Sequence, residues 1–493
     1  MLPTLLAASI LIVNAVVVDG TGAPGRKAAV RVRGDRIAEV GALSPAAGET
    51  VVDAKGLVLA PGFIDTHSHG DRGLFEHADA LAAVSQGIST IVVGQDGGSP
   101  WPLADFFARL DREPVAINVA AYAGHGLLRG KVMGEDFRRP ARPDEVARMR
   151  ELLAQEMKAG ALGLSSGLEY DPGIFSARSE VLDLARVAAA AGGRYISHVR
   201  SEDRSFWDAI DEIIAIGREA KLPVQVSHMK LAMHSLWGQT DRLLRLLNEA
   251  RAAGVDITAD IYPYLYWQST LTVLFPERDF ANRQTAEFVL REISTPDDLL
   301  LGRFAPEPSY TGKTVAEIAR LRGTDPPATL MALIKEALAY EAGHKNDDDV
   351  ESVIGTSMSE PDLERLLAWP YANICTDGEL DGRHPRGFGT YPRVLGRYVR
   401  ERKVVSLEEA VRKMTSLAAH NVGLRDRGAI RPGAFADLVL FDPATVIDRA
   451  TTRDPQALSA GIQRLWVNGA VVYEAGTASG RRPGRALRRE VAR

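Results

Sequence analysis

The sequence predicts an α/β fold: a (β/α)8 TIM-like barrel with a small β-sandwich domain built from both termini and an inserted subdomain. Three observations lead there. The middle of the chain alternates strand-like and helix-like segments, both ends are rich in short β-like pieces, and polar residues recur where the strand-like runs stop. Repeated βα units of this length argue for a parallel sheet with helical crossovers, open or closed into a barrel.

Residues 10–58 come first. Val16-Val17-Val18 ends at Asp19-Gly20, Ala29–Arg33 ends at Gly34-Asp35, and Ile37–Val40 ends at Gly41. Gly and Asp at these points mark hairpins. The far end is similar, with Ala436–Asp442 and then Arg464–Val472. One small β domain, residues 1–58 with 427–480, is expected from the two ends.

The barrel is expected over 59–426. Thr90–Val93 precedes a helical stretch at 103–110, and Ala116–Ala120 precedes one near 144–158. Tyr195–His198 leads to a helix at 205–220. Pro223–His228 leads to one at 239–252, and Val255–Asp260 follows. Residues 279–350 break the rhythm, being helical, charged and Pro-containing, and are read as the inserted subdomain.

The chain's 493 residues exceed one ordinary core, so smaller domains beside a large one are expected. Hydrophobic content of 45% and charged content of 25% are those of a soluble globular protein. A net charge of −5 points to neither a nucleic-acid nor a membrane-surface partner. The Arg-rich last dozen residues are read as a solvated terminus. Cys375 is alone and makes no internal disulfide. No apolar run reaches the ~18–20 residues of a membrane span. Met1 to Ile10 is apolar but lacks the basic start of a secretory leader, and Ala7-Ala8-Ser9 is only a faint cleavage site. A cytoplasmic location is expected, with a short leader as the alternative.

The chemistry gathers at strand ends. Asp65-Thr66-His67-Ser68-His69 follows one apolar run and Gln95-Asp96 another; His198, His228 and Asp377 each close a β-like run. In a (β/α)8 barrel such ends converge on one face, where active sites lie. Residues i and i+2 of an extended strand point the same way, so His67 and His69 can grip one ion together. Four histidines and two aspartates make a set of N and O ligands suited to zinc, and also to manganese, iron or cobalt.

Ala60-Pro61-Gly62-Phe63-Ile64-Asp65-Thr66-His67-Ser68-His69 resembles the first-strand signature of the amidohydrolase superfamily. Further stretches narrow the resemblance to the N-acyl-D-amino-acid deacylase (D-aminoacylase) family. They include Gly163–Leu168, Ser197–Arg200, Ser227–Lys230, Asp260–Tyr264, Thr376–Gly378 and His384–Arg393, in the expected order. The resemblance implies a barrel with a β-sandwich from both termini and an inserted subdomain. It implies one or two divalent ions, zinc first, on His67, His69, His198, His228 and Asp377, with Asp377 also the catalytic base. It assigns Lys230, Tyr262 and Arg386 to a substrate carboxylate. The implied partner is therefore a small molecule with a carboxylate, hydrolysed at an amide bond.

One position departs from the pattern. The family has Asn-Cys-Gly, with a metal-binding cysteine, where this chain has Gln95-Asp96-Gly97. Asp96 is a hard oxygen ligand in place of a soft thiolate, and is expected to hold metal; the alternative is a turn residue. His125, in Gly124-His125-Gly126, is either a site residue or a structural loop residue. His77, His234, His344 and His420 are read as packing or surface residues, and Cys375 as a small buried filler. The rival readings are a cyclic-amide hydrolase of the dihydroorotase or hydantoinase kind and a non-catalytic binding module that keeps the fold.

Overall fold

A computed structural model of the chain describes residues 9–344 and 350–489. The leader question concerns residues 1–8, which lie outside the described residues, as do 345–349 of the inserted segment and 490–493 of the tail.

Eight parallel strands form the barrel: β1 (Phe63–Asp65), β2 (Ile88–Val93), β3 (Asn118–Ala121), β4 (Gly163–Gly167), β5 (Arg194–His198), β6 (Val224–Val226), β7 (Ile257–Ile261) and β8 (Ala372–Ile374). β1, β2 and β3 pair in that order, and β4 to β8 pair in that order, all parallel. Two seams join the halves. Past Tyr122, Ala123-Gly124 pairs with Leu164 and Ser165 of β4, and Leu162 N donates to Ala121 O at 2.8 Å. At the other seam Asp377 N donates to His67 O at 2.8 Å and His69 N to Gly378 O at 2.9 Å. The strands are buried on both faces, as in a covered parallel sheet, although they carry buried polar residues such as Asn118, Ser165, Ser166 and Ser197.

Helices follow the strands at Leu103–Arg112, Pro143–Ala159, Arg178–Ala190, Phe206–Ala220 and Thr240–Ala252. Among the described residues, no helix is long and apolar enough to cross a membrane.

A nine-stranded sheet takes its strands from Ser9–Pro61 and Leu438–Ala478. Strands Arg26–Arg33 and Ile462–Val467 are far apart in its order, yet Val30, Val32 and Trp466 share one core, so the sheet curls over its own interior. A buried network joins it to the barrel. Asp437 pairs with Arg427 and accepts from Asn468 N at 2.7 Å, and Asn468 Nδ2 donates to Asn118 Oδ1 of β3 at 2.8 Å.

Between β7 and β8 lies an antiparallel sheet of Tyr266–Ser269, Glu351–Thr356 and Leu299–Phe304, covered by helices Val315–Arg322 and Pro326–Gly343 around a separate core. The sequence pattern marks 279–350, the helical part. The strands at its two edges are too short to carry a period-2 signal.

The Arg-rich terminus is solvated in part: Arg481, Arg482, Arg485 and Arg488 are exposed. Arg489 is tied down, its N donating to Gly160 O at 2.9 Å and its guanidinium to Met157 O and Ala161 O, at and just past the end of helix Pro143–Ala159.

Asp437→Ala leaves the Arg427 guanidinium buried without its partner. The expected cost is ~3–5 kcal/mol, the scale for breaking a buried ion pair, seen as a lower urea midpoint. An unchanged midpoint contradicts this role.

Candidate metal centre

The predicted residues meet at the C-terminal end of the barrel. His67 and His69 follow β1, Asp96 follows β2, His198 ends β5, His228 follows β6 and Asp377 follows β8. Nε2 of His67 and of His69 each stand 3.3 Å from Asp96 Oδ2, and 3.4 and 3.2 Å from Asp377 Oδ1. Asp96 Oδ1 lies 3.6 Å from His228 Nε2. His198 is one step away, its Nδ1 3.1 Å from His228 Nε2. The residues thus fall into two groups that share His228: His67, Asp96, His228 and Asp377, and His198, Glu202 and His228.

The backbone pays for this convergence with unusual conformations. Asp96, His228 and Asp377 have φ of 53°, 33° and 50°, in the left-handed region that L-residues seldom occupy. Such outliers persist only where the surroundings over-determine them. Asp260 of β7 accepts from His228 N at 2.5 Å and fixes that turn. Gly94 (φ 76°) lies against Tyr122 O, where a Cβ would come within 2.3 Å, and lets the chain turn toward Asp96.

The donor set fits a divalent transition ion. The ligand atoms of His67, Asp96, His228 and Asp377 all lie within 4.8 Å of one another. Asp96 Oδ1 is buried without a hydrogen-bond partner. The amides a turn aspartate would serve are engaged elsewhere: Gly97 N on Ser165 Oγ at 3.3 Å and Gly98 N on Gln95 O at 2.9 Å. Imidazole and carboxylate are the ligands zinc takes. Their protonation follows from mutual pairing. Burial opposes ionisation of Asp377, but Arg386, His228 and His67 outweigh it and hold the carboxyl well below its usual range. Burial likewise opposes Asp96, and the His67 and His228 rings pull it down.

The substrate-binding candidates Lys230, Tyr262 and Arg386 line one cavity with His198, His228 and Asp377, about 500 Å³ including its open mouth. Arg386 Nη1 holds Asp377 Oδ2 at 2.5 Å. Its Nε and the Tyr262 hydroxyl are buried without partners. Lys230 Nζ is bound by both Glu202 oxygens, at 2.6 and 2.8 Å, and touches His228 Nδ1 at 2.8 Å.

Sequence reasoning missed Glu169, Glu202 and Asp260. Glu202 faces His228 Nδ1 at 3.0 Å, and Glu169 holds His198 Nε2 at 2.9 Å. Such outer carboxylates orient the imidazoles that bind metal. Their signal is position alone: Glu169 lies two residues beyond β4 and Glu202 four beyond His198. His125 belongs elsewhere, buried against Glu180 at 2.8 Å beside Arg129. His384 is buried and accepts from Arg386 N at 3.0 Å. Cys375 is buried, as expected of a filler.

Known proteins match this chain along its length. A model of the amidohydrolase family matches residues 50–293 and 303–473. The chain is 38% identical over 498 residues to an N-acyl-D-glutamate deacylase of Alcaligenes xylosoxydans xylosoxydans, covering 96% of this chain and 95% of that protein. It is 37% identical over 508 residues to a D-aminoacylase of the same organism, covering 98% of each. The solved N-acyl-D-glutamate deacylase from Bordetella bronchiseptica, complexed with zinc and a phosphonate mimic of the tetrahedral intermediate, superposes with a TM-score of 0.86. It is 36% identical, over 98% of this chain and 99% of that one.

Asp96→Ala is expected to lower zinc content by removing a carboxylate from the centre of the cluster, while Asp96→Cys retains metal. Metal analysis of the dialysed proteins decides. Full zinc content in the alanine variant makes Asp96 a turn residue only.

Proposed function

The chain belongs to the amidohydrolase family, and on that premise we propose that it hydrolyses the amide bond of N-acyl-D-amino acids, releasing a carboxylate and the free D-amino acid. The observation that carries this reading is one cavity in which a buried His and Asp cluster faces Arg386 Nε and the Tyr262 hydroxyl, both buried without partners. A hydrolytic centre beside an unfilled anion site suits an amide substrate with a carboxylate close to the scissile bond.

His67, His69, Asp96, His198, His228 and Asp377 would hold zinc, as one ion or two, which when bound would supply an acidified water and a Lewis acid for the acyl carbonyl. Asp377 is the general base, taking the proton of the attacking water and returning it to the leaving amine; its Oδ2 is held by Arg386 and its Oδ1 faces His67 and His69. Arg386 and Tyr262 hold the substrate's carboxylate. Their groups stack closely, the guanidinium carbon 4.9 Å from the Tyr262 ring centre. Lys230, 5.7 Å from the same ring, adds positive charge, and its pairing with Glu202 keeps His228 oriented. Arg forms paired hydrogen bonds to carboxylates, which fixes the substrate's direction as well as its charge.

The rival readings have less behind them. Cyclic-amide hydrolases often use a carboxylated lysine as the bridging ligand, and Asp96 stands between the His67/His69 pair and His228 instead. A degenerate binding module loses ligands, whereas this cluster keeps four histidines and two aspartates.

Two outcomes are expected. The zinc-loaded protein cleaves N-acetyl-D-amino acids and leaves the L enantiomers largely intact; hydrolysis of L but not D substrates contradicts the reading. Asp377→Asn lowers kcat by ~10² or more, the scale of general acid–base catalysis, with the fold retained by circular dichroism. Near-normal turnover removes Asp377 as the base.

A further inference from the structure

Tyr262 and Arg386 reach the substrate carboxylate from different elements. Tyr262 follows β7 directly, and Arg386 opens the helix Arg386–Arg393 that comes after β8. Arg386 Nε and the Tyr262 hydroxyl are buried without partners, and the guanidinium carbon lies 4.9 Å from the Tyr262 ring centre. Two donors grip one carboxylate well only at a fixed separation, so the segments that carry them must be locked together.

His384, Arg393 and Tyr264 make the lock. His384 Nε2 faces Tyr266 O at 3.1 Å, Arg393 Nε donates to Pro263 O at 2.8 Å, and the Tyr264 hydroxyl stands 3.4 Å from Pro385 O. Two of these side chains converge on a single carboxylate. Asp448 Oδ2 accepts from Arg393 Nη1 at 3.0 Å and from the Tyr264 hydroxyl at 3.3 Å. The Arg393 guanidinium also lies over the Tyr264 ring, 4.7 Å from its centre. Burial, with Asp448 beside it, pushes the Tyr264 hydroxyl well above its ordinary pKa and keeps it a donor.

Asp448 comes from outside the barrel. It lies on residues 442–461, an excursion between strands Leu438–Phe441 and Ile462–Val467 of the nine-stranded sheet. The same excursion holds the Arg386 helix and the loop before it, with Ser459 Oγ donating to Phe388 O at 2.9 Å and Gln456 Nε2 to Asp381 O at 2.6 Å. Gly389 makes room for the approach: a Cβ there would come within 2.4 Å of the Tyr264 hydroxyl and 2.8 Å of Asp448 Cβ. The inserted subdomain gives the cavity Val273, Leu274 and Ile293, and the barrel gives it Tyr262 and Arg386, but Asp448 lines no part of it.

We propose that Asp448 is a positioning residue for the substrate-carboxylate site, setting the spacing of Tyr262 and Arg386 through Tyr264 and Arg393. The inference rests on the deacylase reading and assigns the terminal β domain a part in substrate binding. Asp377 depends on this lock less than the carboxylate site does. Its backbone N is bound to His67 O, and its Oδ1 faces two imidazoles. Loosening the Arg386 helix therefore weakens binding before it slows proton transfer.

The test measures kcat and KM of the zinc-loaded full chain for the N-acetyl-D-amino acid it cleaves fastest, with zinc content and melting temperature alongside. Asp448→Ala is expected to raise KM by about tenfold, within the ~10²-fold that a misplacement remote from the chemistry can cost, with a smaller loss of kcat and unchanged zinc content. Asp448→Asn keeps an oxygen for Arg393 and Tyr264 and is expected to recover most of that loss. Tyr264→Phe removes one hydroxyl from the lock and is expected to raise KM by about threefold. A KM within about twofold of the parent in Asp448→Ala, or a kcat loss larger than the KM rise, overturns the inference even where the melting temperature falls, since the carboxylate then serves only stability. Where Asp448→Ala does not fold, Tyr264→Phe decides: a raised KM supports the lock and an unchanged one overturns it. A parent chain that cleaves no N-acetyl-D-amino acid overturns the deacylase reading, and this inference with it.

Discussion

The barrel closes through its own chemistry. The hydrogen bonds from Asp377 N to His67 O and from His69 N to Gly378 O tie the end of β8 to the end of β1. Asp65 reinforces the seam, accepting from Thr376 N at 2.8 Å and from the Thr376 hydroxyl at 2.5 Å. The residues that make these bonds carry the side chains that meet at the cluster. The bonds that close the ring therefore also place His67, His69 and Asp377, whose positions are set by backbone pairing. A site mounted on strand ends in this way is held more firmly than loop residues alone would be.

The seam explains the geometry, and electrostatics explains why these groups tolerate burial. Asp96, Asp377, Glu202 and Asp260 are acidic groups buried in or near the cluster, and a buried charge needs a partner. Arg386 serves Asp377, Lys230 serves Glu202, and Gln225 Nε2 serves Asp260 at 2.6 Å. The His228 ring is pushed up to about 9: burial and Lys230 act against its protonation, and Glu202, Asp377 and Asp96 prevail. Asp96 has the weakest protein partners of the set, with one oxygen unpartnered and the other 3.3 Å from two imidazoles. A divalent cation would complete this arrangement, its charge taking the place of the protons that, against burial, Asp96 and Asp377 otherwise favour on His67, His69 and His228.

Much of this was legible in the sequence, for identifiable reasons. His67-x-His69 follows from the period of two in a strand, and His198, His228 and Asp377 from the rule that barrel strands present function at their C-terminal ends. Asp96 was legible as a departure from a resembled motif. What stayed hidden depends on tertiary contact. Glu202 reads as one acid among many until Lys230 and His228 are seen to converge on it. Asp260 ends a strand-like run as Asp377 does, yet its carboxylate supports the His228 turn instead of facing the ion site. The wall formed by Val273, Leu274 and Ile293 comes from a subdomain whose own core, not the barrel pattern, sets its shape. In the Arg-rich tail, charge alone does not reveal that Arg489 binds the Met157 carbonyl while Arg481, Arg482, Arg485 and Arg488 stay exposed.

Asp96 is expected to stand in the metal's coordination shell, in the place of the cysteine found in the resembled family. Anomalous diffraction at the zinc edge from crystals of the zinc-loaded protein tests this directly. A peak is expected ~2.0–2.2 Å from an Asp96 carboxylate oxygen, the bonding distance for zinc, with His228 or the His67/His69 pair in the same shell. A zinc peak bound by the histidines with the Asp96 carboxylate turned away, hydrogen-bonded to backbone amides, would contradict it.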